Sequence, residues 1–276
     1  VVELVDPPQG ARGDYVNKGS GKPSDHPIDS GAKVTYVPSK KGGKPIKVPV
    51  TDRLIETAKK IEKRNIEKKN RTEFVDVDGV VHNFMFFTER GVPVTSENMN
   101  MFLGSGFVKD IIGRTFTQKA FRKAFSSWVA NVAKAGPDMR RMVNEIGQAH
   151  RSGKNVEQAY QKFTETQWKK YRKVQNEFIE AIFGDAEVLV KETVKKGKKS
   201  SEEVTAWELR QIVRSLNADK KGLLNVGNKK NPDAISKEVL RDIIEYMVQT
   251  NARGTEVFAG SKTYTGKGYG ENYLKY

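Results

Sequence analysis

Apolar residues recur every three or four positions through most of residues 51–250, which is the spacing of amphipathic helices. The first such segment begins at Thr51, whose side chain suits an N-cap, and is predicted to run to about Lys69. Its apolar positions, which we expect to face the core, are Leu54, Ile55, Ala58, Ile61 and Ile66. Further helices are predicted to begin near Ser96, Phe107, Thr117, Pro137, Asn155, Ser200 and Pro232.

The longest predicted helix starts at Asn155, where Gln158 completes a capping-box pattern. An apolar stripe continues from there to Phe183. The pattern therefore predicts a helix of roughly 28 residues, which would be ~42 Å long at the usual rise per residue.

One segment has a different pattern. Residues 73–87 are rich in valine and phenylalanine and contain Asp78-Gly79, a dipeptide that suits a type I′ turn. We predict a β-hairpin there, which must pack on the helical core or on another chain because an isolated hairpin is marginally stable. The expected fold class is mainly α: a single helical core domain with one small β-hairpin, flanked by an extended N-terminal arm and an extended C-terminal tail.

The two ends of the chain differ in composition from the middle. Residues 1–50 contain seven of the ten prolines and seven glycines, and residues 251–276 contain five glycines and four tyrosines. Such segments bury too little apolar surface to offset their chain entropy. We interpret 1–50 as an arm, 51–250 as the core domain and 251–276 as a tail. The arms either contact neighbouring copies, another protein or a nucleic acid, or lie over their own core.

The charge balance favours a polyanionic partner. The 276 residues include 49 Lys+Arg against 34 Asp+Glu, which gives a formal net charge of +15. Nucleic acid is the first candidate, ahead of an anionic membrane surface. The chain has no cysteine, which excludes disulfides and thiolate chemistry. No apolar run approaches the ~18 residues of a membrane span, so we expect no membrane partner.

Basic residues alternate with aromatic residues on several predicted helices. Cations of this kind can pair with phosphates, and an aromatic ring can stack on a base. The same patterns are also typical of solvated helix faces and of core aromatics. The candidate RNA-binding residues are Lys169, Lys170, Arg172 and Lys173 with Trp168 and Tyr171, Arg140 and Arg141, Lys119 and Arg122, and Lys63 and Arg64.

The sequence contains no convincing catalytic or metal-binding set. Phe74–Val81 resembles the first motif of haloacid dehalogenase-type phosphatases, with Asp76 and Asp78 as the two acids, but the helical pattern after Thr88 does not supply the sheet that such enzymes need. Asn217–Asn225 resembles part of a calcium-binding EF-hand loop with a lysine at a ligand position. We therefore expect no enzyme activity, no cofactor and no metal.

A helical core between two extended arms resembles the layout of coat or nucleocapsid proteins of filamentous single-stranded RNA viruses. The resemblance implies a structural protein that polymerises through its arms and packages single-stranded RNA non-specifically in a basic groove. It implies location in a virion and in the host cytoplasm, with RNA and neighbouring copies as partners. The alternative is a basic component of another nucleoprotein assembly, such as a ribosome-associated protein or a phage virion protein.

Overall fold

The computed structural model describes residues 33–37, 46–75, 81–143, 164–185, 206–226, 234–250 and 257–258. Within these ranges most residues are helical, which confirms the predicted mainly α fold with a small β-hairpin. The helices are α1 Asp52–Glu67, α2 Ser96–Leu103, α3 Gly106–Ile112, α4 Lys119–Asn131, α5 Pro137–Met142, α6 Glu165–Phe183, α7 Ala206–Ala218 and α8 Lys237–Thr250.

The strands form antiparallel pairs. They are β1 Lys33–Val37 with β2 Ile46–Val50, β3 Glu73–Val75 with β4 Val81–Asn83, and β5 Leu223–Asn225 with β6 Ala234–Ser236. The predicted hairpin is the β3–β4 pair, and its Asp78-Gly79 turn lies outside the described residues. A two-residue turn there would place Val75 opposite His82, whereas Val75 pairs with Val81, so the register differs by one residue. The other two pairs were not predicted.

The helix starts follow the capping chemistry. Thr51 caps α1 as predicted, and its hydroxyl accepts a hydrogen bond from the Leu54 N–H at 3.2 Å. Thr95 rather than Ser96 caps α2, in a capping box with Asn98. On α1 the prediction that Ile66 faces the core is wrong, because Ile66 is 71% exposed.

Three other predicted helix starts are corrected or untested. Helix α4 begins at Lys119, two residues after the predicted Thr117, and Gln118 precedes it. Helix α8 begins at Lys237 because residues 234–236 pair as β6, so the predicted start near Pro232 is wrong. The predicted start near Ser200 lies outside the described residues.

Helix α8 is the centre of the core. Every residue from Asp242 to Thr250 is buried, and the helix packs against α1, α4, α6 and α7. Its apolar side chains, together with those of the surrounding helices, form one continuous cluster. Burial of this much apolar surface is the main term that stabilises the fold.

Helix α8 also carries buried charges, which helix α1 neutralises. The Glu245 side chain is fully buried, and its Oε1 lies 3.3 Å from Arg53 Nε and accepts a hydrogen bond from Thr57 Oγ1. Asp242 Oδ2 lies 2.8 Å from Arg64 Nη2. Removing a partner from such a pair leaves an uncompensated charge in the core. The α1–α8 contact therefore depends on matched charges as well as on apolar packing.

Parts of the predicted arm and tail contact the core of the same chain. Strand β2, at the end of the predicted 1–50 arm, lies against α8. In the predicted 251–276 tail, Val257 and Phe258 are buried and belong to the apolar core. At these points the ends of the chain pack on their own core, one of the two possibilities that the sequence left open.

Candidate nucleic-acid interface

The orientation of α6 is set by its first turn. Thr164 has extended backbone angles, its hydroxyl accepts from the Gln167 N–H at 3.3 Å, and Gln167 Oε1 accepts from the Thr164 N–H at 2.8 Å. This capping box starts the helix at Glu165, so the predicted continuous helix from Asn155 to Phe183 is wrong. Asn155 itself lies outside the described residues.

The two aromatic residues of the α6 cluster point into the core. Trp168 and Tyr171 are each 0% exposed, and their ring centroids lie 5.9 Å apart. Tyr171 also makes an edge contact with Phe125 of α4 at 5.7 Å, and burial raises the pKa of its hydroxyl. The prediction that Trp168 or Tyr171 stacks on a base is therefore wrong, because no ring face is accessible.

The cations of α6 point the other way. Lys169, Lys170 and Lys173 are exposed, and Arg172 is partly exposed. Lys169 and Lys173 are separated by one helical turn and so lie on the same side of the helix. With the aromatic residues of the same run facing inward, the helix presents its basic side to solvent.

Helix α5 adds two arginines next to α6, on which it packs. Both Arg140 and Arg141 are exposed. The Arg140 guanidinium donates to the Ala135 carbonyl at 3.0 Å and to the Ala130 carbonyl at 3.4 Å. Its charge thus faces the Ala130 carbonyl in the last turn of α4, where a cation is favourable. Arg140 consequently has a structural role in addition to any surface role.

Helix α4 lies next to α6 and carries further basic residues. It packs against α6 through Phe125 and Trp128, whose rings lie 5.1 Å and 5.8 Å from that of Phe178. The predicted residues Lys119 and Arg122 lie at its start, and their side chains are outside the described set. Lys123, which belongs to the same basic run, is partly exposed. The sequence analysis missed Lys134, which is exposed beyond the helix end.

We call this set of residues the α4–α6 basic surface. Among the described side chains it comprises Lys123, Lys134, Arg140, Arg141, Lys169, Lys170, Arg172 and Lys173. In helices α4, α5 and α6 and the connection between α4 and α5, the acidic residues are Asp138, Glu165, Glu177 and Glu180, against ten basic residues. Per residue, the net positive charge of this region is therefore larger than that of the whole chain.

The two predicted residues on α1 differ in their surroundings. Lys63 is 80% exposed at its side chain and lies 3.9 Å from Glu67 of the next turn. Arg64 is only 14% exposed, with Nη2 at 2.6 Å from Glu238 Oε1 and 2.8 Å from Asp242 Oδ2. The prediction of Arg64 as an RNA contact is corrected, because both carboxylates on α8 already occupy its guanidinium.

Other cations of the described residues are also paired with carboxylates. Arg114 Nη2 donates to Glu208 Oε2 at 2.9 Å, and Lys68 Nζ donates to Glu89 Oε2 at 2.9 Å. Lys237, which begins α8, forms an ion pair with Asp219, and this pair lowers the pKa of the Asp219 carboxyl. These pairs connect elements that are distant in sequence, and each cation meets a carboxylate.

Comparisons with protein-family models, with curated proteins and with solved structures found no match to this chain. Among the residues that the structure describes, no three His, Cys, Asp or Glu side chains are grouped so that they could hold a metal ion. None of the described helices combines the length and apolarity needed to cross a membrane.

Proposed function

We propose that this protein is a structural capsid or nucleocapsid subunit that binds single-stranded RNA without sequence preference on the α4–α6 basic surface. The exposure of Lys169, Lys170 and Lys173, on helices in which basic residues outnumber acidic ones, carries the proposal. In this proposal, neighbouring copies assemble through their arms. The protein is located in a virion and in the host cytoplasm. The protein is proposed as a non-enzymatic component that needs no cofactor.

Phosphate binding fits this chemistry better than base recognition does. Lysine ammonium groups are compact charges on flexible stems, which contact phosphates as point charges. The aromatic rings of these helices are buried, which leaves them no part in recognition of bases. Contacts to phosphate fix position and supply affinity but carry no sequence information. Binding through this surface should therefore be similar for unrelated RNA sequences.

Charge reversal of an adjacent lysine pair tests the proposal. Lys169→Glu with Lys170→Glu should weaken binding of a single-stranded RNA about tenfold or more at low salt, because each reversal removes a phosphate contact and adds a repulsion. The matched control is Lys59→Glu with Lys60→Glu, an exposed adjacent pair on α1. Fluorescence anisotropy with several unrelated labelled oligonucleotides measures the affinity, and circular dichroism checks helix content.

Three outcomes of this experiment are informative. Loss of affinity in the α6 pair only, at unchanged helix content, supports the proposed surface. Equal loss in both pairs would mean that net charge and not this surface determines binding. A wild-type preference of several orders of magnitude for one folded RNA would favour the ribosome-associated alternative.

The arms require a separate test, because β2 lies against α8. A variant without residues 1–32 keeps both strands of the β1–β2 pair, whereas a variant without residues 1–50 loses them. We expect the shorter truncation to abolish polymerisation and leave a folded subunit, as judged by sedimentation and circular dichroism. If the truncated protein still forms rods or rings with RNA, residues 1–32 do not connect the copies.

A further inference from the structure

Two lysines that follow helix ends have an unusual backbone conformation. Among the described residues, Lys69 after α1 has a φ of 53° and Lys134 after α4 has a φ of 45°. The other described residues with positive φ are glycines, which adopt this left-handed region without steric cost. A lysine there is disfavoured by its Cβ, and its side chain lacks the short polar group that helps asparagine or aspartate to adopt this conformation. Glycine would therefore stabilise the fold at either position.

The turn that contains Lys134, residues 132–136, is fixed by the end of α4, and we call it the α4–α5 turn. The Ala133 N–H donates to the Trp128 carbonyl at 3.0 Å, and the Ala135 N–H donates to the Val129 carbonyl at 3.1 Å. Both acceptor residues are buried in the core. The backbone on each side of Lys134 is thus held in place, and its exposed side chain extends from a fixed position.

Arg140 of α5 is attached to the same turn. Its Nε and Nη2 donate to the carbonyls of Ala135 and Ala130, which orients the guanidinium. A guanidinium has more N–H donors than these two bonds use, and Arg140 is exposed. Lys134 directly precedes Ala135 in the chain. The ammonium of Lys134 and the outer N–H groups of Arg140 can therefore contact the same anion.

The surroundings of the two lysines differ in charge. Residues 128–143, which include the α4–α5 turn, contain three cations and a single acid, Asp138. Lys69 instead directly follows Lys68, whose ammonium is paired with Glu89. The local excess of positive charge favours an anion at the α4–α5 turn, whereas the charges next to Lys69 are matched within the protein.

From these observations we propose that the α4–α5 turn and Arg140 form a fixed phosphate site, in which Lys134 and Arg140 bind one phosphate group of single-stranded RNA. This inference rests on the proposed function and assigns a fixed contact to one position of the α4–α6 basic surface. Strained backbone conformations cluster at sites of binding and catalysis. A lysine in place of glycine here lowers the stability of the fold and provides a phosphate contact, while the lysines of α6 contact further phosphates of the strand.

Replacement of each left-handed lysine by glycine tests the site. Lys134→Gly and its matched control Lys69→Gly both remove one charge and one strained lysine, whereas Lys134→Arg keeps the charge at the turn. Fluorescence anisotropy measures binding of a labelled single-stranded RNA to the full-length protein at several salt concentrations. Urea denaturation followed by circular dichroism measures stability.

We expect Lys134→Gly to weaken RNA binding about three- to tenfold at low salt and to reduce the slope of log affinity against log salt concentration by about 0.7, because one phosphate contact is lost. Lys134→Arg should restore both values. Lys69→Gly should bind RNA like wild type. Both glycine variants should unfold at a higher urea concentration than wild type, because glycine adopts the left-handed region without strain.

Equal RNA affinity and salt dependence of the two glycine variants would overturn the inference, and the proposed function would stand if Lys169→Glu with Lys170→Glu still weakens binding. Unfolding of Lys134→Gly at a lower urea concentration than wild type would also overturn it, because Lys134 would then stabilise the turn. A wild-type protein that binds no RNA would refute the inference and the proposed function together.

Discussion

Helices α1 and α6 are both rich in cations, but those cations have different partners. On α1, Arg53 and Arg64 turn inward to Glu245 and to Asp242 of α8. On α6 the lysines point to solvent, and its inward side is occupied by Trp168 and Tyr171. The first set of cations holds two helices together, whereas the second is accessible to a polyanion. Composition alone does not separate these two roles.

The difference follows from what faces each helix. Helix α8 presents buried carboxylates, and burial raises the pKa values of both Asp242 and Glu245 while the arginines of α1 oppose that rise. Helix α6 meets α4 through aromatic rings, and its lysines Lys169, Lys170 and Lys173 are exposed. The charge of a helix therefore indicates function only after the facing helix is known.

The largest expected effect is the loss of the buried pair. Arg64→Ala should lower the free energy of unfolding by about 3–5 kcal/mol, because Asp242 is left buried with its main partner gone. Lys63→Ala, on the exposed neighbouring position, should change it by less than about 0.5 kcal/mol. Urea denaturation followed by circular dichroism measures both. Equal stability of the two variants would remove the distinction between the inward and the outward cations.

The second-largest expected effect concerns salt, which should weaken RNA binding on α6 but hardly affect the buried ion pair between α1 and α8. Between 50 and 200 mM salt, binding of single-stranded RNA should weaken by roughly two orders of magnitude if four or five phosphates are contacted, because released counterions oppose binding. The destabilisation caused by Arg64→Ala should change little over the same range, since buried pairs are screened much less than exposed ones. Binding that does not depend on salt would contradict the proposed role of the basic surface.

The smallest expected effect concerns pH. Burial raises the pKa of the Glu245 carboxyl above the value it has in the unfolded chain. The protonated carboxyl therefore contributes its full stabilisation at pH values below the unfolded pKa, and this stabilisation is lost as pH rises through the folded pKa. Glu245→Gln should remove this loss. We expect the stability of wild type relative to the variant to increase by on the order of 1 kcal/mol as pH falls from neutral to acidic values, because the protonated Glu245 carboxyl resembles the glutamine amide.

The control for the pH experiment is Glu67→Gln, an exposed acid on α1. Its stability difference from wild type is measured over the same pH range. If Glu245→Gln behaves in the same way, the Glu245 carboxyl does not contribute to the pH dependence of the α1–α8 contact.

The sequence predicted local structure well where a single chain segment contains all the information. The cap at Thr51, the helical spacing of apolar residues and the β3–β4 hairpin follow from neighbouring residues alone. The start of α6 was missed because Asn155 and Thr164 offer similar capping patterns, and only the folded chain selects Thr164. The β1–β2 and β5–β6 pairs were missed because short strands give a weak signal.

By itself the sequence determined that the chain forms amphipathic helices with an excess of positive charge, since helical spacing and composition are local properties. Tertiary structure alone decided that Arg64 pairs with Asp242, that Trp168 and Tyr171 are buried and that Lys169 and Lys170 remain exposed. The spacing of apolar residues shows which side of a helix faces inward. It does not show which charged or aromatic group of another helix meets that side, because that partner is distant in sequence and is brought there only by folding.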